Sequence, residues 1–142
     1  MRAAALVAIS ANEIIMGDIS RLSPIDPYYR EGDRIMYPKA IISALGALEG
    51  YFSKIGEEEA PYPYKILAER LDPEIIDRAN RLLNLARIYA SELLTSAGYK
   101  NEEVERIITG LIDETTIHEE ALTLEKLKAI SLKVYHYREK EE

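Results

Sequence analysis

The apolar positions of this chain fall mostly at helical spacing. From Pro38 onward they recur at Ile41, Ile42, Leu45, Leu48 and Phe52, which line one face of a helix. Proline suits the first helical turn and glycine the end, so Pro38 predicts the start of this helix and Gly56 its stop. Gly46 and Gly50, four apart, either mark a close helix contact or are simply tolerated. After Pro61 and Pro63 the pattern predicts a short helix over 64–71. Asp72-Pro73-Glu74 then supplies an N-cap, a proline at the first position and an acid in the first turn. The helix it opens runs to Ala97 and stops at Gly98. Its main apolar stripe is Ile75, Ile76, Ala79, Leu82, Leu83, Ala86, Ala90, Leu93, Leu94 and Ala97. Leu85, Ile88 and Tyr89 widen that stripe into a second face, which is either covered within the monomer or an assembly surface.

The ends of the chain are patterned differently. Residues 1–10 are alanine-rich and apolar nearly all round, which predicts a buried helix. Glu13-Ile14-Ile15-Met16 reads as a short strand stopped by Gly17-Asp18. Pro24 and Pro27 force an extended path, so 20–37 is expected to be an ordered loop with one short strand near Leu22. Glu57-Glu58-Glu59 is a solvated linker. Asn101 is expected to cap a helix over 102–111, and Thr123 a shorter one. Residues 133–137 read as a closing strand and 138–142 as a frayed, charged tail. There are no internal repeats and no low-complexity segment.

The chain has 142 residues, the size of one domain, and 47% of them are hydrophobic, enough for a core. A net charge of −7 argues against nucleic acid and against an anionic membrane surface as partners. The absence of cysteine removes disulfides, thiolate metal sites and cysteine nucleophiles. The two histidines, His118 and His136, are too few for a histidine-rich metal site, and neither cofactor nor metal is expected. With 30% charged residues and no cysteine, the composition is compatible with a thermophile. The apolar run at 3–9 is too short for a membrane span, and Asn12 and Glu13 follow it at once, so it is not read as a secretory signal. The chain is therefore expected to be soluble and cytoplasmic.

Three patches, in order, resemble the serine dehydrogenase proteinase group of the Clp-protease and signal-peptide-peptidase A superfamily. The first, residues 3–16, looks like the small-residue helix after the nucleophile running into that group's "A-D-E-I-V-M" strand. The second, Leu22-Ser23-Pro24-Ile25-Asp26-Pro27, is similar to its "L-G-P-V-D-P". The third joins Thr115-Thr116-Ile117-His118 and Thr123 to the acidic helix that follows, and resembles "T-H-D-Y-P-I-T" and the group's ending. The resemblance implies a helix-rich α/β chain, the C-terminal part of a spiral ββα fold of the Clp-protease and crotonase type. It implies a single, incomplete domain over 1–142, with a helical arm over about 38–97 that often contributes to oligomers.

Serine proteolysis needs a nucleophile, a base and an oxyanion hole of backbone N–H groups. Here Arg2 stands at the nucleophile position the resemblance implies, and arginine stays protonated. The group's glycine-rich oxyanion segment lies upstream of the position matching Met1. Asp26 stands where the Clp subunit carries its general-base histidine, or it holds an Asp-Pro turn. Lys54 lies roughly where signal peptide peptidase A carries its base lysine, or is a surface lysine. His118 orients a base, contacts substrate, or is structural.

These residues lead to three expectations. The chain is a truncated or split serine peptidase-like protein, inactive alone, with peptide substrate turned over only when a complementary N-terminal half or paralogue completes it. Membrane association would then come through a segment this chain lacks. Alternatively it is a non-catalytic helical assembly module, a homo-oligomer built on its arm. Or it is an unrelated all-helical domain, which would have no strand at Glu13–Met16.

Overall fold

The computed structural model describes residues 3–56, 58–115 and 121–140. It is helix-rich, with two small two-stranded sheets. Two compact units divide the chain, one of residues 1–26 with 85–142 and the other of 27–84. The second begins before the arm expected at 38–97 and ends inside its longest helix.

The first unit holds most of the core. Helix α1 (Ala3–Ile9) is followed by strand β1 (Ile14–Met16), as the pattern predicts. The all-round burial expected of α1 is not found. Ala5 and Ile9 are buried while Val7 is 67% exposed, because only one side of the helix meets the core. Strand β1 pairs in parallel with β4 (Val134–His136), Ile14 opposite Val134 and Met16 opposite His136. The chain is therefore not all-helical. Among the described residues these two strands pair only with one another.

Helix α4 (Pro73–Ser96) begins where Asp72 caps it, its carboxylate accepting from the Glu74 N–H at 2.9 Å. Its C-terminal half belongs to this unit and buries Ala86, Ala90 and Leu94. Gly98, at φ 85°, turns the chain out of it. Helix α5 (Asn101–Ile108) starts one residue before the expected position. Its first turn is closed by Glu103, whose carboxylate accepts from the Lys100 N–H. It buries Val104, Ile107 and Ile108, then widens into a π-helical turn, Thr109–Asp113. Helix α6 (Leu124–Ala129) is capped by Thr123, as expected. The expected frayed tail is instead a 3-10 turn over Tyr137–Lys140, held by Lys140 to Glu13 (2.7 Å) and Lys128 to Glu139 (2.9 Å). The Lys128 ammonium, together with the His136 N–H, holds the Glu139 carboxyl below its ordinary value of 4.5.

Tyr99 ties α4 to the sheet. Its buried hydroxyl accepts from the Lys133 N–H at 2.9 Å, one residue before β4. Tyr99→Phe leaves that donor unsatisfied and is expected to cost about 1 kcal/mol in urea unfolding. Burial also raises the phenol above its ordinary 10.0. Above that pH the unfolded chain releases this proton first, so stability falls with rising pH. The alkaline slope should be shallower in Tyr99→Phe.

The second unit contains a hairpin and two helices. Strands β2 (Tyr29–Glu31) and β3 (Arg34–Met36) pair antiparallel where an ordered loop was expected. Gly32-Asp33 forms the turn, with Gly32 at φ 57°, and glycine at the first position is what a primed two-residue hairpin demands. Helix α2 runs Pro38–Ile55 and stops at Gly56, as predicted, and α3 runs Tyr62–Glu69. Outside the helix's own backbone nothing lies within 4 Å of a Cβ built on Gly46 or Gly50, so neither marks a close helix contact among the described residues. Among the described residues of this unit only Pro27, Tyr29, Pro38, Ala60 and Ala79 are buried, and the apolar stripe of α2 is no more than half-buried.

A candidate functional site around Asp26

The extended segment Leu22–Asp26, followed by Pro27, is anchored in the first unit. Pro24, Ile25, Asp26 and Pro27 are all buried. Two prolines spaced three apart keep the backbone extended and remove two donors, so the remaining amides must find partners elsewhere. They do. The Leu22 N–H donates to the Leu122 carbonyl at 3.0 Å, and the Leu122 N–H donates back to Leu22 at 2.9 Å. The Ile25 N–H donates to the Leu111 carbonyl at 3.0 Å. The expected short strand near Leu22 is thus a single antiparallel bridge.

The π-helical turn shapes this anchor. A π turn displaces the carbonyls of an α-helix from their usual partners and recurs at functional sites. Here it carries the Leu111 carbonyl that receives Ile25. The Thr115 hydroxyl, itself buried, donates back toward the Leu111 and Ile112 carbonyls at 3.3 and 3.2 Å. Asp113 pairs with Arg87 on α4 and fixes the outer side of the turn. Gly110 makes the turn's close approach, since a Cβ there would overlap the Ile130 side chain.

Asp26 is therefore a buried carboxylate, 6% exposed, directly after the anchored Ile25. Burial of this kind is what a catalytic acid or base needs, and equally what a structural Asp-Pro turn has. Lys54 sits in the last turn of α2, in the other unit, and its side chain is solvent-exposed. Arg2 and His118 lie outside the described residues.

A second polar cluster was not legible in the sequence, because its members are 118 residues apart. The Asp18 carboxylate lies 2.9 Å from His136 Nε2, and Arg138 reaches the same carboxylate at 3.6 Å. The His136 Nδ1 accepts from the Arg138 N–H at 3.3 Å, so the ring proton is on Nε2 and faces Asp18. With both nitrogens engaged, His136 closes the loop after β1 onto the end of β4 and has no free position for a substrate. Among the described residues no three acidic or histidine side chains are grouped to hold a metal ion. Nor is any helix there long and apolar enough to cross a membrane.

No family model matches the chain, and no solved structure matches it. It is similar to an uncharacterized protein of Methanocaldococcus jannaschii, 30% identical over 134 residues. That match covers 94% of this chain and 39% of the archaeal protein, so this chain spans well under half the length of the relative.

Proposed function

We propose that this chain is the C-terminal portion of a serine peptidase of the Clp-protease and crotonase type, inactive by itself and completed by further polypeptide. The observation that carries the reading is the parallel pair β1–β4. Parallel strands are normally covered on both faces and flanked by further strands. Here, among the described residues, both outer edges are open, Ile15 on β1 is 55% exposed, and Val7 and Ile19 nearby in sequence are 67% and 91% exposed. That apolar surface asks for a cover. The archaeal relative, with most of its length outside the match, supports a longer protein in which such a cover exists. In the completed enzyme Asp26 would take the proton of a serine supplied by the added segment, whose backbone amides would bind the oxyanion.

The test is to read the coding DNA upstream of Met1, co-express whatever it encodes in frame or after one frameshift, and assay casein hydrolysis. The 142-residue chain alone is expected to be inactive, with activity appearing on co-expression and abolished by Asp26→Asn. Full hydrolysis by the isolated chain, or an unrelated upstream neighbour, overturns the reading.

A second reading is a non-catalytic assembly module. It is favoured by Leu85, Ile88 and Tyr89, which are 37%, 45% and 44% exposed along one side of α4, and by the half-buried stripe of α2. Light scattering at high concentration decides it, a persistent monomer counting against self-assembly.

A further inference from the structure

We propose that the groove beside β3 in the second unit binds an extended peptide that carries acidic and apolar residues in alternation. The groove has a volume of about 460 Å³, within the range of small-ligand and peptide clefts. Its walls are β3, the first half of α2 and the start of α4, with Met36, Ile41, Ile75 and Ile76 giving it an apolar lining.

The charges in that lining point to the occupant. Arg34 and Arg70 line the groove, both are exposed, and among the described residues neither makes an ion pair. Asp72, the acid beside them, is engaged as the cap of α4. A chain with a net charge of −7 thus presents in this groove two guanidinium groups against one carboxylate, over an apolar floor. Guanidinium groups suit carboxylates, through paired N–H donors.

The backbone of β3 supplies the third element. With Glu31 and Arg34 closing a two-residue turn, the hydrogen-bonded pairs are Glu31–Arg34 and Tyr29–Met36. The Arg30–Ile35 pair is non-hydrogen-bonded, so the N–H and C=O of Ile35 face away from β2. No third strand meets that edge among the described residues. The other strand is committed. Tyr29 is buried under the Arg78 guanidinium at 4.3 Å, and Glu31 pairs with Arg78 at 3.0 Å, which fastens β2 to α4. The hairpin is held rigid with its outer strand free, the arrangement that recruits a peptide by strand addition. One face of such a strand then carries apolar side chains and the other carboxylates, matching the floor and the arginines.

This inference does not rest on the peptidase reading, and its test needs no catalysis. Anisotropy of a short fluorescein-labelled peptide of alternating glutamate and valine is measured with the full chain, beside its lysine–valine counterpart. The acidic peptide is expected to bind and to weaken as salt rises, and the basic one to stay unbound. The Arg34→Glu/Arg70→Glu double variant should weaken binding by about tenfold, the worth of two exposed ion pairs. Ile35→Pro removes the outward N–H without touching a bond to β2, and should weaken binding to a similar extent. Circular dichroism checks that it folds, and if it does not, the arginine variant alone decides. Equal binding of both peptides, or acidic-peptide binding that survives the charge reversal, overturns the proposal. So does a wild-type dimer that takes up no peptide and that Ile35→Pro turns into monomer, since the edge would then pair with a second copy.

Discussion

Leu94→Ala is expected to cost about 2–5 kcal/mol and to lower the melting temperature by roughly 10 °C. Leu94 is fully buried on the core side of α4, so truncating it removes apolar contacts and leaves a cavity that tight packing fills only in part. Leu85, on the same helix, is the control. It is 37% exposed, and Leu85→Ala in the monomer should change stability by less than about 0.5 kcal/mol. The pair of variants reads the two faces of the helix separately in one urea titration. If Leu85→Ala proves as costly as Leu94→Ala, and the cost grows with protein concentration, the second face is covered by another chain in solution.

Gly110→Val should be nearly as damaging, by a different route. The new side chain would enter the space of Ile130, and what it meets is the Cβ and both branches of a β-branched residue. Such a residue has little freedom to move aside. Overpacking of this kind costs about 1–3 kcal/mol. The strain falls on the π-helical turn, whose Leu111 carbonyl holds the Ile25 N–H, so the loop carrying Asp26 should loosen with it. Amide exchange at Ile25 is the specific readout. Combining Gly110→Val with Ile130→Ala makes room, and the double variant should be more stable than the two single costs added together. An additive result would mean that the close approach at Gly110 does not shape the turn.

The long helices were legible because their ends carry strong local chemistry. Pro38 with Gly56, and Asp72-Pro73 with Gly98, mark starts and stops that need no tertiary context. The short strand at Ile14 was legible from its β-branched pair against polar flanks, and that at Val134 from the alternation of valine and tyrosine with polar residues. Their parallel pairing was not, since it joins opposite ends of the chain. The hairpin β2–β3 had a readable signal, Gly32-Asp33 between Tyr29 and Met36. The prolines at 24 and 27 outweighed it and made the whole stretch look like loop. The burial of α1 was overstated because alanine is apolar without demanding cover, so composition alone does not say which side faces solvent. For the site, the Leu22–Pro27 motif located Asp26, whereas the π turn beneath it depends on Gly110 meeting Ile130, which no local pattern encodes.

The unit that holds Asp26 is discontinuous in sequence, with 1–26 rejoined by 85–142. Its sheet sets Ile14 against Val134, and Lys140 grips Glu13. Contacts of such long sequence separation form late, because most of the chain must be ordered before they yield any gain. Of the two paired strands β1 is made long before β4, so Ile14 and Met16 have no strand to pair with until Val134–His136 have been made. The unpaired edge of β1 is therefore longest exposed in the nascent chain, and a stop codon just before Val134 would leave β1 without its pairing strand for good.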